Sequence, residues 1–136
     1  MDLNQLARLL RMQPAVDSMG APIDLKRPIV FDPMGYEPHT ELSMTATGKE
    51  LGLPNPNSLY NVPTIYNGQI NDPNTFAGMN EIRKNVMKTP EAYKAYANEK
   101  DAVKDAIQRS KDIGELRGNE LRRAVIQRYM ENINGS

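Results

Sequence analysis

His39 is the residue whose type is best suited to chemistry, and it is the only histidine in the chain. It stands in the stretch "EPHTEL", with Glu37 and Glu41 two residues away on either side. On an extended chain these three side chains share one face, which suits a metal pair or a general acid and base. Zinc usually takes three or four protein ligands, however, and the chain has no cysteine and no second histidine. We therefore expect a solvated histidine at the start of a strand, with no catalytic residue, no metal site and no cofactor.

Basic residues are concentrated near the C-terminus, but acidic residues lie among them. The arginines are Arg117, Arg122, Arg123 and Arg128, and the acidic residues are Glu115, Glu120 and Glu131. Over the whole chain 17 basic residues balance 17 acidic ones. A protein that binds the phosphate backbone would carry a basic excess. We expect no nucleic-acid contact, and we keep a regulatory protein that binds host factors or nucleic acid through its last helix as an alternative.

Two strands and a tight turn are predicted in the middle of the chain. Apolar and polar residues alternate over 40–47, as in a half-buried strand. A second strand is predicted over 62–66, and the Asn-Gly pair at 67–68 is the strongest two-residue hairpin signal. In that register Ile65 faces Ile70, and the hairpin recruits the earlier strand into one small antiparallel sheet.

Helices are predicted after the hairpin. Apolar residues from Phe76 to Met87 fall near helical spacing. A long helix is predicted to begin at the Thr89 cap and to end at Gly114, with Asp105 and Arg109 paired one turn apart. A last helix follows over roughly 119–132. These elements predict an α+β fold in which C-terminal helices pack on the small sheet.

The N-terminal part differs in composition, because five prolines recur between residues 14 and 38. They favour an extended arm. A short helix precedes the arm, and the stretch "RPIVFDPMGY" is too apolar for a disordered linker. These apolar side chains could cover the chain's own core or enter a partner's groove, and disorder is a third alternative. The predicted interface consists of Leu3, Leu6, Leu10, Ile29, Val30, Phe31 and Tyr36.

Three pieces in order resemble a small module of tailed-bacteriophage virion proteins. They are "TELSMT" (40–45), "NVPTIYNGQI" (61–70) and "TPEAYKAYANEKDAVKDAIQRSKDI" (89–113). The resemblance covers residues 38–113. The chain departs from the module in the insert "GKELGLPNPNSLY" and in the longer segment "DPNTFAGMNEIRKNVMK". The arm and the last helix lie outside the module.

The resemblance implies a non-enzymatic structural component of a tailed-phage virion, located in the tail, neck or internal head. It divides the chain into an N-terminal helix and arm (1–38), an α+β virion module (39–113) and a C-terminal helix (114–136). The implied partners are other virion proteins, such as portal, tail or internal proteins, with the protein present in several copies. We expect no signal peptide and no membrane span, and synthesis in the host cytoplasm. A small cell-wall hydrolase that uses Glu41 with His39 is the enzymatic alternative.

Overall fold

A computed structural model describes residues 2–4, 15–32 and 35–134 of the chain. The strands are β1 (Val30–Phe31), β2 (Pro38–His39), β3 (Ser43–Thr47), β4 (Leu59–Pro63), β5 (Ile65–Tyr66) and β6 (Gln69–Ile70). The helices are α1 (Gly48–Leu51), α2 (Phe76–Val86) and α3 (Glu99–Asn134), with a 3-10 turn at Pro90–Ala92. Short antiparallel strands together with a long C-terminal helix confirm the predicted α+β class.

Strands β3 and β4 form the central antiparallel pair, with Met44 opposite Val62 and Ala46 opposite Tyr60. The predicted alternation is confirmed, although the strand begins at Ser43 rather than at residue 40. Strand β4 begins at Leu59, inside a segment that the sequence predicted as loop.

The Asn-Gly hairpin has the predicted register, with Ile65 opposite Ile70. Asn67 and Gly68 have φ values of 53° and 72°, as a two-residue turn of this type requires. The predicted strand over 62–66 is interrupted at Thr64, whose N–H donates to the Leu42 carbonyl at 2.7 Å. In the described residues the strands therefore form three two-stranded pairs, β1–β2, β3–β4 and β5–β6, instead of one sheet.

The insert between β3 and β4 contains a helical turn that the sequence analysis missed. Thr47 and Glu50 form a capping box at the start of α1, in which each side chain satisfies a backbone N–H of the other. Gly48 lies so close to the loop that an added Cβ would stand 2.0 Å from the Asn55 carbonyl oxygen. This close approach brings Leu51 into the core.

The apolar core lies between the β3–β4 pair, α1 and α2. Leu51, Val62, Ile82 and Val86 are fully buried there. The predicted helix in this region is confirmed as α2, but Phe76 at its first turn is 83% exposed and does not join the core.

Both predicted ends of the long helix were wrong. Thr89 makes no side-chain capping bond within the described residues, and only a 3-10 turn follows it. Tyr96 instead exchanges two backbone hydrogen bonds of 2.8 Å with Leu59, so this segment runs alongside β4. Helix α3 begins at Glu99 and continues through Gly114 for 36 residues.

The two predicted C-terminal helices are therefore one helix, because the contacts of its buried side offset the weak helix propensity of Gly114. Its buried residues are Ala102, Ile113 and Arg117. No helix in the described ranges combines the length and the apolar character that crossing a bilayer requires.

Candidate functional site

Three arginines of α3 bind the N-terminal arm, and we call Arg109, Arg117 and Arg128 the arginine row. At about 100° of rotation per residue, their positions fall within about 100° of one another around the helix. Each donates at least one hydrogen bond to a backbone carbonyl of the arm. The row therefore connects one face of α3 to chain segments that lie about 90 residues earlier.

Arg109 binds two carboxylates and a backbone carbonyl at once. Its Nε and Nη2 donate to the two oxygens of Glu41 at 2.7 and 3.0 Å, a bidentate pair. Nη1 donates to Asp17 at 2.9 Å, and Nη2 also donates to the Pro22 carbonyl at 2.8 Å. One guanidinium thus joins the arm, the start of the central module and α3.

The carboxylates around Arg109 are shielded from water. The Asp17 side chain is 1% exposed and that of Glu41 is 12% exposed. Burial alone would lower the pKa of Arg109, but the hydrogen bonds and charges of Glu41 and Asp17 outweigh it and raise the pKa. Asp17 also accepts the backbone N–H groups of Met19 and Ala21, which fixes the turn of the arm. The predicted pairing of Asp105 with Arg109 was wrong, because Arg109 binds these two carboxylates instead.

Arg117 and Arg27 extend the connection towards the hairpin. Arg117 is 4% exposed, and its Nη1 donates to the Arg27 carbonyl at 2.8 Å. Its Nη2 donates to Glu120 at 2.8 Å, and its buried Nε has no partner among the described residues. Arg27 in turn donates to the Ile65 carbonyl at 2.8 Å. The arm is consequently bound on one side by α3 and on the other by the start of β5.

Arg128 binds the arm beside two of the predicted interface residues. Its Nε donates to the Gly35 carbonyl at 2.8 Å, and its guanidinium carbon lies 4.6 Å from the centroid of the Phe31 ring. The Tyr36 ring lies 6.1 Å from that of Tyr129. Phe31 and Tyr36 therefore contact the helix of their own chain.

The other predicted interface residues differ in their placement. Leu3 is 82% exposed, whereas Leu6 and Leu10 lie outside the described residues. Ile29 is half-buried, and Val30 is half-buried and pairs with His39. Whether these side chains also meet a partner stays a prediction.

A cleft of about 550 Å³ lies between the arm, β4 and the start of α3. Glu41 and Arg109 line it, together with Tyr96 and Asp105. Tyr96 donates to Asp105 at 2.7 Å, and burial followed by this bond raises the pKa of Tyr96 to about 12. The polar groups of the cleft are thus largely bonded to one another, which leaves an arrangement suited to holding the arm in place.

His39 and Glu41, the pair of the enzymatic alternative, have different partners. Glu41 is bound by Arg109, and Arg27 lies 3.9 Å from it. His39 Nε2 lies 3.5 Å from Asp32 Oδ2. Asp32, Glu37 and His39 each place one possible ligand atom within 4.8 Å of the other two. Sequence reasoning missed Asp32, because only the pairing of β1 with β2 brings it back to His39.

The second half of α3 carries an exposed apolar stripe formed by Ile126, Met130 and Ile133. Their spacing of four and then three residues places them on one face, turned away from the arginine row. They are 63%, 53% and 54% exposed. Beyond Arg117 no described residue of α3 is buried. This part of the helix therefore lies outside the described core.

No protein-family model, no curated protein and no solved structure matches this chain. Its function is therefore inferred from the geometry of the arm and α3 and from the short sequence pieces that resemble the virion module. Among the site residues, Asp17 carried no sequence signal, while the shared helix face of Arg109, Arg117 and Arg128 could have been found from their spacing.

Proposed function

We propose that this protein is a non-enzymatic structural component of a tailed-phage virion. In this proposal it assembles with other proteins of the particle in the tail, neck or internal head. The observation that carries the proposal of an assembly role is the apolar stripe of Ile126, Met130 and Ile133. Apolar side chains exposed together on one helix face mark interaction sites more often than isolated exposed residues do. The virion itself is supported by the resemblance over residues 38–113.

Two further features suit a densely packed particle. The net charge of the chain is zero, so copies of it repel one another little. The arginine row binds the arm at several backbone carbonyls, so Phe31 and Tyr36 are held beside α3. In a repeated assembly, many weak contacts of such surfaces add up to strong binding.

Incorporation into particles tests the stripe directly. We expect the double variant Ile126→Glu and Met130→Glu to fold normally, because both side chains are more than half exposed. It should be depleted at least about tenfold from purified particles in quantitative mass spectrometry, since charge in an apolar contact is costly. Asn119→Glu, which adds a negative charge to the same helix face, is the matched control. Equal incorporation of the double variant and the control would contradict the proposed role of the stripe.

The arm provides a second test. Deletion of residues 1–38 removes the predicted interface residues Leu3, Leu6, Leu10, Ile29, Val30, Phe31 and Tyr36 together. We expect the truncated chain to keep the β3–β4 core and to lose incorporation. A truncated chain that still assembles, or one that unfolds completely, would contradict this division between arm and core.

The enzymatic alternative is tested by turnover of peptidoglycan, nucleotides and phosphodiesters. We expect no turnover by the wild type. Specific turnover that is abolished in Glu41→Gln would contradict the structural role, whereas turnover unaffected by this change would indicate a contaminant.

A further inference from the structure

We propose that Asp32, Glu37 and His39 form a binding site for a divalent transition-metal ion of the zinc class. The proposal is independent of the virion role, and it departs from the expectation that the chain has no metal site. That expectation came from the lack of a cysteine or a second histidine to complete a familiar zinc set. The strand pairing supplies a different third ligand, the carboxylate of Asp32.

The backbone brings the three side chains together. Val30 pairs with His39 and Phe31 with Pro38, so Asp32 directly follows β1 while Glu37 directly precedes β2. Glu37 and His39 are two residues apart and share a face of the extended chain. The Asp32 carbonyl accepts a bond of 3.2 Å from Arg128, which fixes the backbone at this position.

The distances suit a small tetrahedral ion. Metal–ligand bonds of about 2.0–2.1 Å at tetrahedral angles place neighbouring ligand atoms about 3.3 Å apart. His39 Nε2 and Asp32 Oδ2 are already 3.5 Å apart, and all three ligand atoms lie within 4.8 Å of one another. The Asp32 side chain is 51% exposed and Glu37 is exposed, so rotation of their carboxylates can close the remaining gap.

The ligand types select the class of ion. An imidazole nitrogen favours zinc, cobalt, nickel or copper, whereas magnesium and calcium favour sites made of oxygen ligands alone. Two carboxylates supply the two negative charges that neutralise a divalent cation. Three protein ligands leave a fourth position for water, as in zinc sites that are not closed by protein.

Binding at this site would have a structural consequence for the arm. The ion would join the end of β1 to β2, next to the backbone carbonyls that Arg128 holds. The arm would thus be closed into a loop at the point where it enters the central module. We expect Zn²⁺ to slow proteolysis of the arm near Lys26 and Arg27 by about tenfold at saturation. The reason is that a bound ion lowers the population of the locally unfolded arm, which is the form that a protease cleaves.

The test uses the full chain, freed of metal with a chelator and then titrated with Zn²⁺, Co²⁺ or Mg²⁺ in a calorimeter. We expect one Zn²⁺ per chain and no comparable binding of Mg²⁺. The ring signals of the single histidine should shift in the NMR spectrum as Zn²⁺ is added. Co²⁺ should give the intense visible absorption of a tetrahedral complex.

Three variants remove the ligands one at a time, namely Asp32→Asn, Glu37→Gln and His39→Gln. Each should weaken Zn²⁺ binding by at least the roughly 10–100-fold that loss of an outer partner of a metal ligand costs. Glu91→Gln removes an exposed carboxylate elsewhere and should leave the affinity unchanged within about twofold.

Several results would overturn the proposal. They are an absence of saturable Zn²⁺ binding, histidine signals that do not move while heat is released, and affinity retained in both Asp32→Asn and Glu37→Gln. The last result would indicate adventitious binding by the histidine alone. The histidine signals are measured on the wild type, so this test does not depend on the folding of any variant.

Discussion

The central module and the junction between the arm and α3 are held together by different forces. In the module, fully buried side chains such as Leu51, Val62 and Ile82 form an apolar core. At the junction, the Asp17 side chain is 1% exposed and that of Arg117 is 4% exposed, so charged groups occupy positions that are just as dry. Apolar burial is non-directional, whereas buried charge requires specific partners. One chain thus uses a tolerant apolar core for its fold and a directional network of charged groups to position its arm.

The largest effect is expected from a cavity in the apolar core. Ile82→Ala removes a fully buried side chain and should lower the free energy of unfolding by roughly 2–5 kcal/mol. Ile107→Ala, at a position of α3 that is 53% exposed, is the matched control and should change it by less than about 0.5 kcal/mol. Urea denaturation followed by circular dichroism measures both. Similar losses in the two variants would mean that the core is not where the structure places it.

The next effect comes from the directional network. Arg109→Met leaves Asp17 and Glu41 without their main cation, and breaking a buried pair from one side typically costs roughly 3–5 kcal/mol. Arg109 is 23% exposed and Arg27 remains 3.9 Å from Glu41. We therefore expect a smaller loss, of about 2–3 kcal/mol.

Hydrogen exchange locates this loss. In Arg109→Met the amide of Ile23 in the arm should exchange faster, while the amide of Ile82 in the core keeps most of its protection. Arg123→Met, which removes an exposed arginine of the same helix, should change neither amide. If Ile82 loses as much protection as Ile23, the arm and the core unfold as one cooperative unit and are not stabilised separately.

Local patterns predicted three features of the module, namely β3, the Asn-Gly turn and α2. The alternation over 40–47, the Asn-Gly turn and the spacing of Ile82 and Val86 each depend on neighbours within a few residues. Such signals can be read from the sequence because the strand and helix periods determine which side chains face the core.

Local sequence patterns did not predict the ends of α3 or the junction between the arm and α3, because contacts between distant parts of the chain determine them. The predicted cap at Thr89 did not form, and Tyr96 further along pairs with Leu59 through the backbone. Gly114 did not end α3, because Asp112 and Arg117 on either side of it bind the arm. The Arg109 site joins residues 68 to 92 positions apart, so no local spacing predicts it. Asp32 beside His39 was missed for a similar reason, because a strand pairing brings it there.

A smaller effect is expected from two glycine substitutions, one in the hairpin turn and one in α3, which should change stability in opposite directions. Gly68→Val forces a β-branched residue to φ of 72° and should cost roughly 1 kcal/mol or more. Gly114→Ala, in the interior of α3 with no described atom within 4 Å of the added Cβ, should gain roughly 0.5–1 kcal/mol. Thermal melts measure both changes. A melt unaffected by Gly68→Val would show that the turn tolerates the side chain and does not set the register.

The smallest effect concerns pH at the edge of the junction. The backbone N–H of Ser18 donates to Asp112 at 2.7 Å and its hydroxyl donates at 3.0 Å. The bond from the Ser18 N–H, followed by those from Gln108 and the Ser18 hydroxyl, lowers the pKa of Asp112 from the ordinary value of 3.8. A carboxylate with a lowered pKa stabilises the folded form above the unfolded-state value, and this contribution is lost as the pH falls through the folded-state pKa.

Asp112→Asn should therefore be less stable than the wild type at about pH 6, and the difference should shrink as the pH falls towards about 2, because the wild-type carboxyl is increasingly protonated as well. Protection of the arm amides against hydrogen exchange should likewise be lower in Asp112→Asn than in the wild type at about pH 6, with a smaller difference at about pH 2. Glu115→Gln, an exposed carboxylate on the same helix, controls for the removal of one negative charge. A difference in unfolding free energy that is equal at both pH values would mean that the Ser18 bonds do not depend on the charge of Asp112. The arm would then be held beside Asp112 by packing, as the core is. Only the arginine row would hold the arm through charged groups.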